Sequence, residues 1–349
     1  MKDKTIKNIL IDVGHPAHVH LFKNFLFYLQ NSDLYNVKIS ARNKDIVSAL
    51  LNNLNIEYIS LSTPKKGFFG IISEICSRFF YVQKLIKKHK IDIVFTSTEV
   101  SAIFAMRGIP NYFFAEDDDD LMKVYTSLIY FFTSNIVNPT CLRFSKWKKK
   151  RILHNSYHEL AYLHPNNFIP DVNILDKYDL KPYKFIVIRH SALDAHHDKG
   201  AKGLQGKLWS DIEEIIKDHP QVVTKENSKS HQIDPWDMHH VLAYAKLVIS
   251  DSQTMTAEAA VLGVPSIRYN TFVGRISYLE ELEHKYDLTY GFLPERDEDK
   301  LLDTLKDMLE QTDLKELWQK KKNKMLSEKI DLNNWMIDLF ENEITKARK

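Results

Sequence analysis

Cysteine, net charge and long apolar runs are all scarce in this sequence. Two cysteines, Cys76 and Cys141, occur in 349 residues. Neither their number nor their spacing gives a disulfide framework or a zinc ribbon, and the scarcity fits a reducing cytoplasm. The formal charge is +2, so nothing global points to nucleic-acid wrapping or adsorption on a membrane. The opening Met1-Lys2-Asp3-Lys4 leads almost directly into an apolar strand containing Asp12, too short for a signal peptide or a span. The run from Leu128 to Val137 is also too short to cross a bilayer. No repeat of solenoid period and no low-complexity segment occurs. A soluble, cytoplasmic protein that needs no metal or organic cofactor and binds no nucleic acid is expected. Peripheral contact with the inner face of the membrane stays open through Lys65-Lys66-Gly67-Phe68-Phe69-Gly70-Ile71-Ile72, where aromatics adjoin lysines. The alternative is a loop leading into a helix whose apolar face packs inward.

What is present is the material of two ordinary α/β domains. The length is about twice the usual domain size. Short runs rich in Ile, Val and Phe (Ile6–Asp12, Val37–Ala41, Ile56–Leu61, Ile91–Thr96, Pro110–Ala115) alternate with helical patterns at Val19–Gln30, Asp45–Asn53 and Ile71–Lys88. That alternation predicts βαβ units on a parallel sheet. Regularity fades over residues 140–182, where basic runs (Lys146, Lys148 to Arg151) and Pro165, Pro170 and Pro182 point to an interdomain region. A second series follows, with strands at Phe185–Arg189, Gln221–Thr224, Lys246–Ser250, Pro265–Tyr269 and Leu288–Phe292. Helical patterns at Leu208–Lys217, Asp234–Ala245, Met255–Leu262 and Glu298–Glu310 separate them, and the tail from Glu328 reads as a final helix. The expected division is a Rossmann-like domain over 1–165, a second over 183–325, and a terminal helix over 326–349.

In open α/β sheets ligands gather beyond the carboxyl ends of the strands, and the polar residues following the strands are therefore the candidates. The most informative stretch runs from Lys246 to Pro265: a buried strand, the polar turn Asp251-Ser252-Gln253-Thr254, a short helix, then Gly263 as its stop. Free backbone N–H groups at such a helix start favour a phosphate, and Ser252 and Thr254 can add hydroxyl donors. Glu258, about one turn further, can accept from ribose hydroxyls. The competing role is capping by Ser252 or Thr254, with Glu258 complementing the helix dipole.

The first loop carries His15, His18 and His20. His18 falls near the helix start, where an imidazole can take a proton from a hydroxyl. His20 reads as packing. No HExxH or CxxC supports zinc, and the His-Pro-Asp-Asp of zinc deacetylases is broken by Ala17 and His18. Arg189 ends its strand, with His190 beside it and a long polar loop containing Lys202 after it. A cation there can neutralise a departing diphosphate. The run Glu116 to Asp120 offers Glu116 or Asp117 as a carboxylate base, against the plainer expectation of a solvated helix start. Glu99 closes the fourth strand's exit.

Four segments carry a family resemblance: Gly14-His15-Pro16-Ala17-His18-Val19-His20-Leu21-Phe22-Lys23, Ser40-Ala41-Arg42, Glu159-Leu160-Ala161-Tyr162-Leu163-His164-Pro165, and the Asp251 to Pro265 block. Together they resemble the family known as domain of unknown function 354, over roughly residues 7 to 300. That family is similar to GT-B-fold sugar-nucleotide enzymes, among them the non-hydrolysing UDP-N-acetylglucosamine 2-epimerases and the lipid-linked muramyl-peptide N-acetylglucosaminyltransferase. The resemblance implies two facing Rossmann-like domains with a central cleft, and a terminal helix crossing back to the first domain. It also implies a nucleotide sugar, UDP-linked by preference, held by Ser252, Gln253, Thr254 and Glu258. His15, Glu99, His190 and Lys202 complete the expected binding set; His18, Glu116, Asp117 and Arg189 are the expected catalytic set. The expected activity is metal-independent glycosyl transfer to a saccharide or lipid-linked acceptor in surface-polysaccharide synthesis. Two-epimerisation and a non-catalytic nucleotide-sugar-binding subunit are the alternatives. Two departures from the relatives stand out: Ser97-Thr98-Glu99 where the epimerases carry an aspartate, and a phosphate turn without the usual glycine pair.

Overall fold

A computed structural model describes residues 7–42, 45–62, 68–99, 103–104, 106–123, 125–191, 203–225 and 232–346. The chain divides into two compact units, Met1–Tyr162 with Ile330–Lys349, and Leu163–Lys329.

The first unit is built on a seven-stranded parallel sheet of order β3-β2-β1-β4-β5-β6-β7. Its strands are β1 (Lys7–Val13), β2 (Tyr35–Arg42), β3 (Ile59–Ser62), β4 (Ile93–Thr96), β5 (Asn111–Phe114), β6 (Asn135–Pro139) and β7 (Arg151–His154). Near-continuous apolar strands suit a parallel sheet covered on both faces. Leu10, Val94 and Leu61 pack with Val82 and Leu85 of helix α3 (Phe68–His89) and with Phe104. Helix α1 (Pro16–Gln30) starts with proline in its first turn, where the missing N–H is no loss, and His15 caps it by accepting from Ala17 N at 3.3 Å. Helix α2 (Asp45–Asn53) follows β2.

Strand β7 corrects the sequence reading. The basic run before it suggested an interdomain region, yet Arg151–His154 pairs in parallel with β6 from Ile136↔Arg151 to Pro139↔His154. The charge of Arg151 is tolerated because its guanidinium bonds Asp119 Oδ1 and Asn138 Oδ1, each at 2.6 Å. The segment Lys65 to Gly67 lies outside the described residues.

The second unit holds a five-stranded parallel sheet of order β12-β11-β10-β8-β9. The strands are β8 (Ile186–His190), β9 (Gln221–Lys225), β10 (Leu247–Ser250), β11 (Ser266–Tyr269) and β12 (Tyr290–Phe292). The helices are α4 (Gly206–Ile216), α5 (Met238–Ala243), α6 (Gln253–Leu262), α7 (Glu298–Glu310) and α8 (Leu314–Glu328). Gly263 closes α6 in the left-handed region at φ 71°, and its N–H bonds the carbonyl of Ala260.

The last helix, α9 (Leu332–Lys346), buries Leu332, Met336, Phe340 and Ile344, spaced four apart on one face. It packs on the first unit: the Phe340 ring lies 5.7 Å from Phe25, 5.0 Å from Tyr35 and 5.9 Å from Phe95. Glu341 Oε1 accepts from Tyr28 and Tyr35, each at 2.7 Å.

Candidate functional site

Each sheet has one place where the strand order reverses, and ligand crevices of open α/β sheets form there. In the first unit the reversal falls between β1 and β4; in the second, between β10 and β8. The candidate residues divide between these two places.

At the first reversal, β1 delivers Asp12 and the Gly14–His18 turn. Asp12 is fully buried; it accepts from Ser40 Oγ at 2.6 Å and Thr98 Oγ1 at 2.5 Å, and pairs with Arg78 at 3.3 Å. Burial raises its carboxyl, and Arg78, Ser40 and Thr98 pull it back. The other end of Arg78 reaches Glu99 at 3.2 Å. His18 Nδ1 accepts from Gly14 N at 3.2 Å, and its ring lies 5.9 Å from that of His15. Gly14 sits close to Thr98: a Cβ there would meet Thr98 Cγ2 at 3.0 Å. His20 stacks on Tyr162 at 5.3 Å, a packing role.

Strand β5 delivers the acidic run, which the structure separates into two jobs. Asp118 and Asp119 are buried, and the expectation of a solvated helix start fails for them. Asp118 accepts from Arg143 N at 2.6 Å, and Asp119 from Ser145 N at 3.1 Å and Arg151 Nη2 at 2.6 Å. They are neutralised internally, which is what a buried charge requires. Glu116 is different. Its Oε1 accepts from His158 N at 2.6 Å, and its Oε2 lies 3.4 Å from His158 Nδ1. Burial, then the neighbouring Glu159, raises the Glu116 carboxyl well above the ordinary glutamate range, with half-buried Asp117 adding to the effect. Burial likewise lowers His158 to about 3, so its imidazole is neutral. Perturbation of this kind, at a strand's carboxyl end, makes Glu116 a candidate acid–base group.

At the second reversal, β8 ends in Arg189 and His190, both half-buried. The Arg189 Nε is buried and makes no hydrogen bond among the described residues. His190 packs edge-on to Trp209 at 4.6 Å, and burial lowers its pKa. Across the reversal, Asp251 follows β10 and accepts from Ser191 N at 2.5 Å and Leu204 N at 3.4 Å. Gly203 is pressed against that carboxylate; a Cβ would sit 2.3 Å from Asp251 Oδ2. Lys202 lies outside the described residues. Ser252 caps α6, accepting from Met255 N at 3.5 Å, while Gln253 and Thr254 are half-buried in the helix's first turn. Glu258 is buried and pairs with His239 Nε2 at 2.9 Å.

Sequence reasoning passed over Asp12, Arg78, His158, Glu159 and His239 as site residues. Asp12 did carry a signal, an acid ending an apolar strand. His239 carried none. Among the described residues, one group has the spacing of a metal site, Glu280, Glu283 and His284. Its two carboxylates already face the buried Arg268, at 3.1 and 3.5 Å.

Two parallel α/β sheets, each with polar side chains around its own point of reversal, define a protein of GT-B class. Within that class the chain belongs to the family described as Protein of unknown function (DUF354), whose model matches residues 7–342. Among solved structures it is similar to S. aureus MnaA in a co-structure with UDP, at 12% identity and a TM-score of 0.69 over 97% of both chains. It is similar to a UDP-GlcNAc 2-epimerase from Neisseria meningitidis bound to UDP-GlcNAc, at 12% identity and a TM-score of 0.70 over 97% of this chain and 100% of that one. The spinosyn rhamnosyltransferase SpnG, complexed with thymidine diphosphate, matches at 10% identity and a TM-score of 0.62 over 96% of this chain and 100% of that one. At these identities the likeness is one of fold. No curated protein matches the sequence.

Proposed function

We propose that this chain is a metal-independent glycosyltransferase that takes a sugar from a nucleoside-diphosphate donor, UDP-linked by preference. The acceptor is a saccharide or lipid-linked saccharide of surface-polysaccharide synthesis. The observation that carries the reading is the second reversal point, where a helix start and an arginine from the adjacent strand stand side by side. A helix start such as that of α6 favours phosphate oxygens. Arg189, with a buried Nε left over, supplies a cation to the same end of the sheet, suited to charge developing on a leaving diphosphate. Ser252, Gln253 and Thr254 add donors, and Glu258, oriented by His239, accepts from ribose hydroxyls. The ligands of the similar structures, UDP, UDP-GlcNAc and thymidine diphosphate, are of this chemical class.

On the other side of the reaction the acceptor hydroxyl must lose a proton. His18 and Glu116 are the bases assigned here, with Asp117 and Glu99 as neighbours. A carboxyl whose proton affinity has been raised is a better base than an ordinary one at neutral pH. A second reading, 2-epimerisation of the sugar nucleotide, is favoured by one observation: the Arg78-paired Glu99 and Glu116 follow the adjacent strands β4 and β5, two carboxyls of the kind that proton removal and return would use.

The test is thermal-shift screening against UDP, GDP, CDP, ADP, thymidine diphosphate and their common sugars, for wild type and Glu258→Ala. Selective stabilisation by one nucleotide, lost in the variant, supports the donor site. Label passing from that donor to acceptor then indicates transfer, and an epimerised donor without acceptor indicates the second reading. No stabilisation of the folded protein by any of them rejects both.

A further inference from the structure

The helical segment Tyr125–Phe132 carries apolar side chains on its outer side. Inward, Thr126, Tyr130 and the following Thr133 are buried, and Ile129 packs on the core around Phe113 and Ile136. Both threonine hydroxyls bond carbonyls four residues back, Thr126 Oγ1 donating to Met122 O at 2.9 Å and Thr133 Oγ1 to Ile129 O at 3.0 Å. The outward residues are Leu128, Phe131 and Phe132, exposed by 56%, 55% and 37%. The Phe131 and Phe132 rings meet edge-on at 4.9 Å, and Leu128 lies about one turn before them in the wider π-helical turn Tyr125–Ile129, so these form a single apolar patch. The exposed Phe79, Phe80 and Tyr81 of α3 are consecutive, so they are spread around their helix.

The patch is framed by the basic turn before β7. Trp147 packs edge-on to Phe131 at 5.6 Å and donates from Nε1 to Thr126 O at 2.5 Å. Lys150 Nζ donates to the carbonyls of Tyr130, Phe131 and Thr133, which closes the helix end and fixes the turn. Lys146, Lys148 and Lys149 are exposed around it. The nearby acids Asp118 and Asp119 are buried against Arg143 and Arg151 and do not offset those charges. Aromatic and aliphatic side chains on one face, a tryptophan at their margin and a rim of lysines match the boundary of an anionic bilayer. Rings enter the headgroup layer there and ammonium groups meet lipid phosphates.

We propose that Leu128, Phe131, Phe132 and Trp147, rimmed by Lys146, Lys148 and Lys149, dock this protein on an anionic membrane surface. The charge complementarity selects lipid over a second copy of the chain, since a copy would bring the same lysines against these. This surface belongs to the first unit, and the proposed nucleotide site to the second.

The experiment is flotation of the full chain with vesicles of phosphatidylcholine alone and of phosphatidylcholine mixed with phosphatidylglycerol. Binding is expected on the mixed vesicles only, and it weakens as salt rises. The Lys148→Glu, Lys149→Glu double variant is expected to lower the affinity by about tenfold or more. Phe131→Ser with Phe132→Ser is expected to remove binding while leaving the circular dichroism and melting temperature unchanged. Quenching of fluorescence by brominated lipid, present in wild type and lost in Trp147→Phe, reads the same contact without altering the patch charge. The proposal falls if mixed vesicles do not bind the protein, if neutral vesicles bind it equally, or if the phenylalanine variant still binds. It also falls if that variant instead dissolves a concentration-dependent dimer, which would make the patch a self-association surface.

Discussion

Replacing Arg151 by alanine is expected to destabilise the first unit by about 3–5 kcal/mol, the range for removing one partner of a buried ion pair. The side chain is 2% exposed and Asp119 8%. The guanidinium donates to Asp119 Oδ1 at 2.6 Å, to Asn138 Oδ1 at 2.6 Å and to Lys146 O at 3.1 Å, and lies 4.5 Å from the centre of the Phe144 ring. Alanine strips all four contacts and leaves Asp119 buried on the amides of Ser145 and Lys146 alone, at 3.1 and 3.4 Å. An internal control exists. Lys207 and Asp211 pair at 3.0 Å, but with side chains 89% and 37% exposed. Screened by water, that pair contributes little to stability. Urea unfolding of the wild type and of both variants, with hydrogen exchange of the β6 and β7 amides to locate the loss, gives the comparison. Adding Asp119→Ala to Arg151→Ala should cost less than the two single losses summed, because the second change removes the stranded charge. If Arg151→Ala costs no more than Lys207→Ala, the burial argument is wrong.

Other expectations concern the candidate site. Glu116→Gln should lower turnover by about 100-fold or more, the lower bound for losing an acid–base group. The same variant should be more stable than wild type at alkaline pH and equal to it in acid. The unfolded chain releases this proton near the ordinary value of 4.5 while the native state keeps it, so the wild type loses stability as pH rises from there to the folded value. Melting temperatures across that window check the sign. Asp251→Ala should weaken nucleotide binding by about tenfold or more, since two hydrogen bonds to a charged acceptor disappear. Gly203→Ala should do the same with the carboxylate intact, because the new methyl group displaces it; calorimetric titration with nucleotide reads both.

Strands β1 to β5 and β8 to β12 are visible in the sequence because parallel strands bury both faces and so read as short unbroken apolar runs. Strands β6 and β7 are not visible in this way. β6 ends in Asn138 and Pro139, and Asn138 is satisfied only by bonding Ala115 O and Arg151. β7 opens with an arginine whose neutralising aspartate lies 32 residues earlier. Helix α8 hides for a related reason. It buries only Leu314, Trp318 and Met325, and is seated by Gln319 donating to Gly263 O at 3.0 Å. The candidate site divides similarly. Strand ends and the turn after β10 follow from local pattern, so Arg189, Ser252 and Glu116 could be named. Asp12 with Arg78, Glu116 with His158 and Glu258 with His239 are meetings between distant segments, and only topology supplies the partner.

The seating of α9 bears on the order in which this protein can be made. Phe340 closes over Phe25, Tyr35 and Phe95, and Glu341 takes hydroxyl bonds from Tyr28 and Tyr35. During synthesis Phe25 and Tyr35 emerge from the ribosome roughly 300 residues, and Phe95 roughly 250, before the helix that covers them. This is contact formation over very long sequence separation, the slow kind. The second unit, Leu163–Lys329, is contiguous and can complete its core while the first still waits with an open aromatic groove. Of the two units, the one translated first is therefore the one finished last.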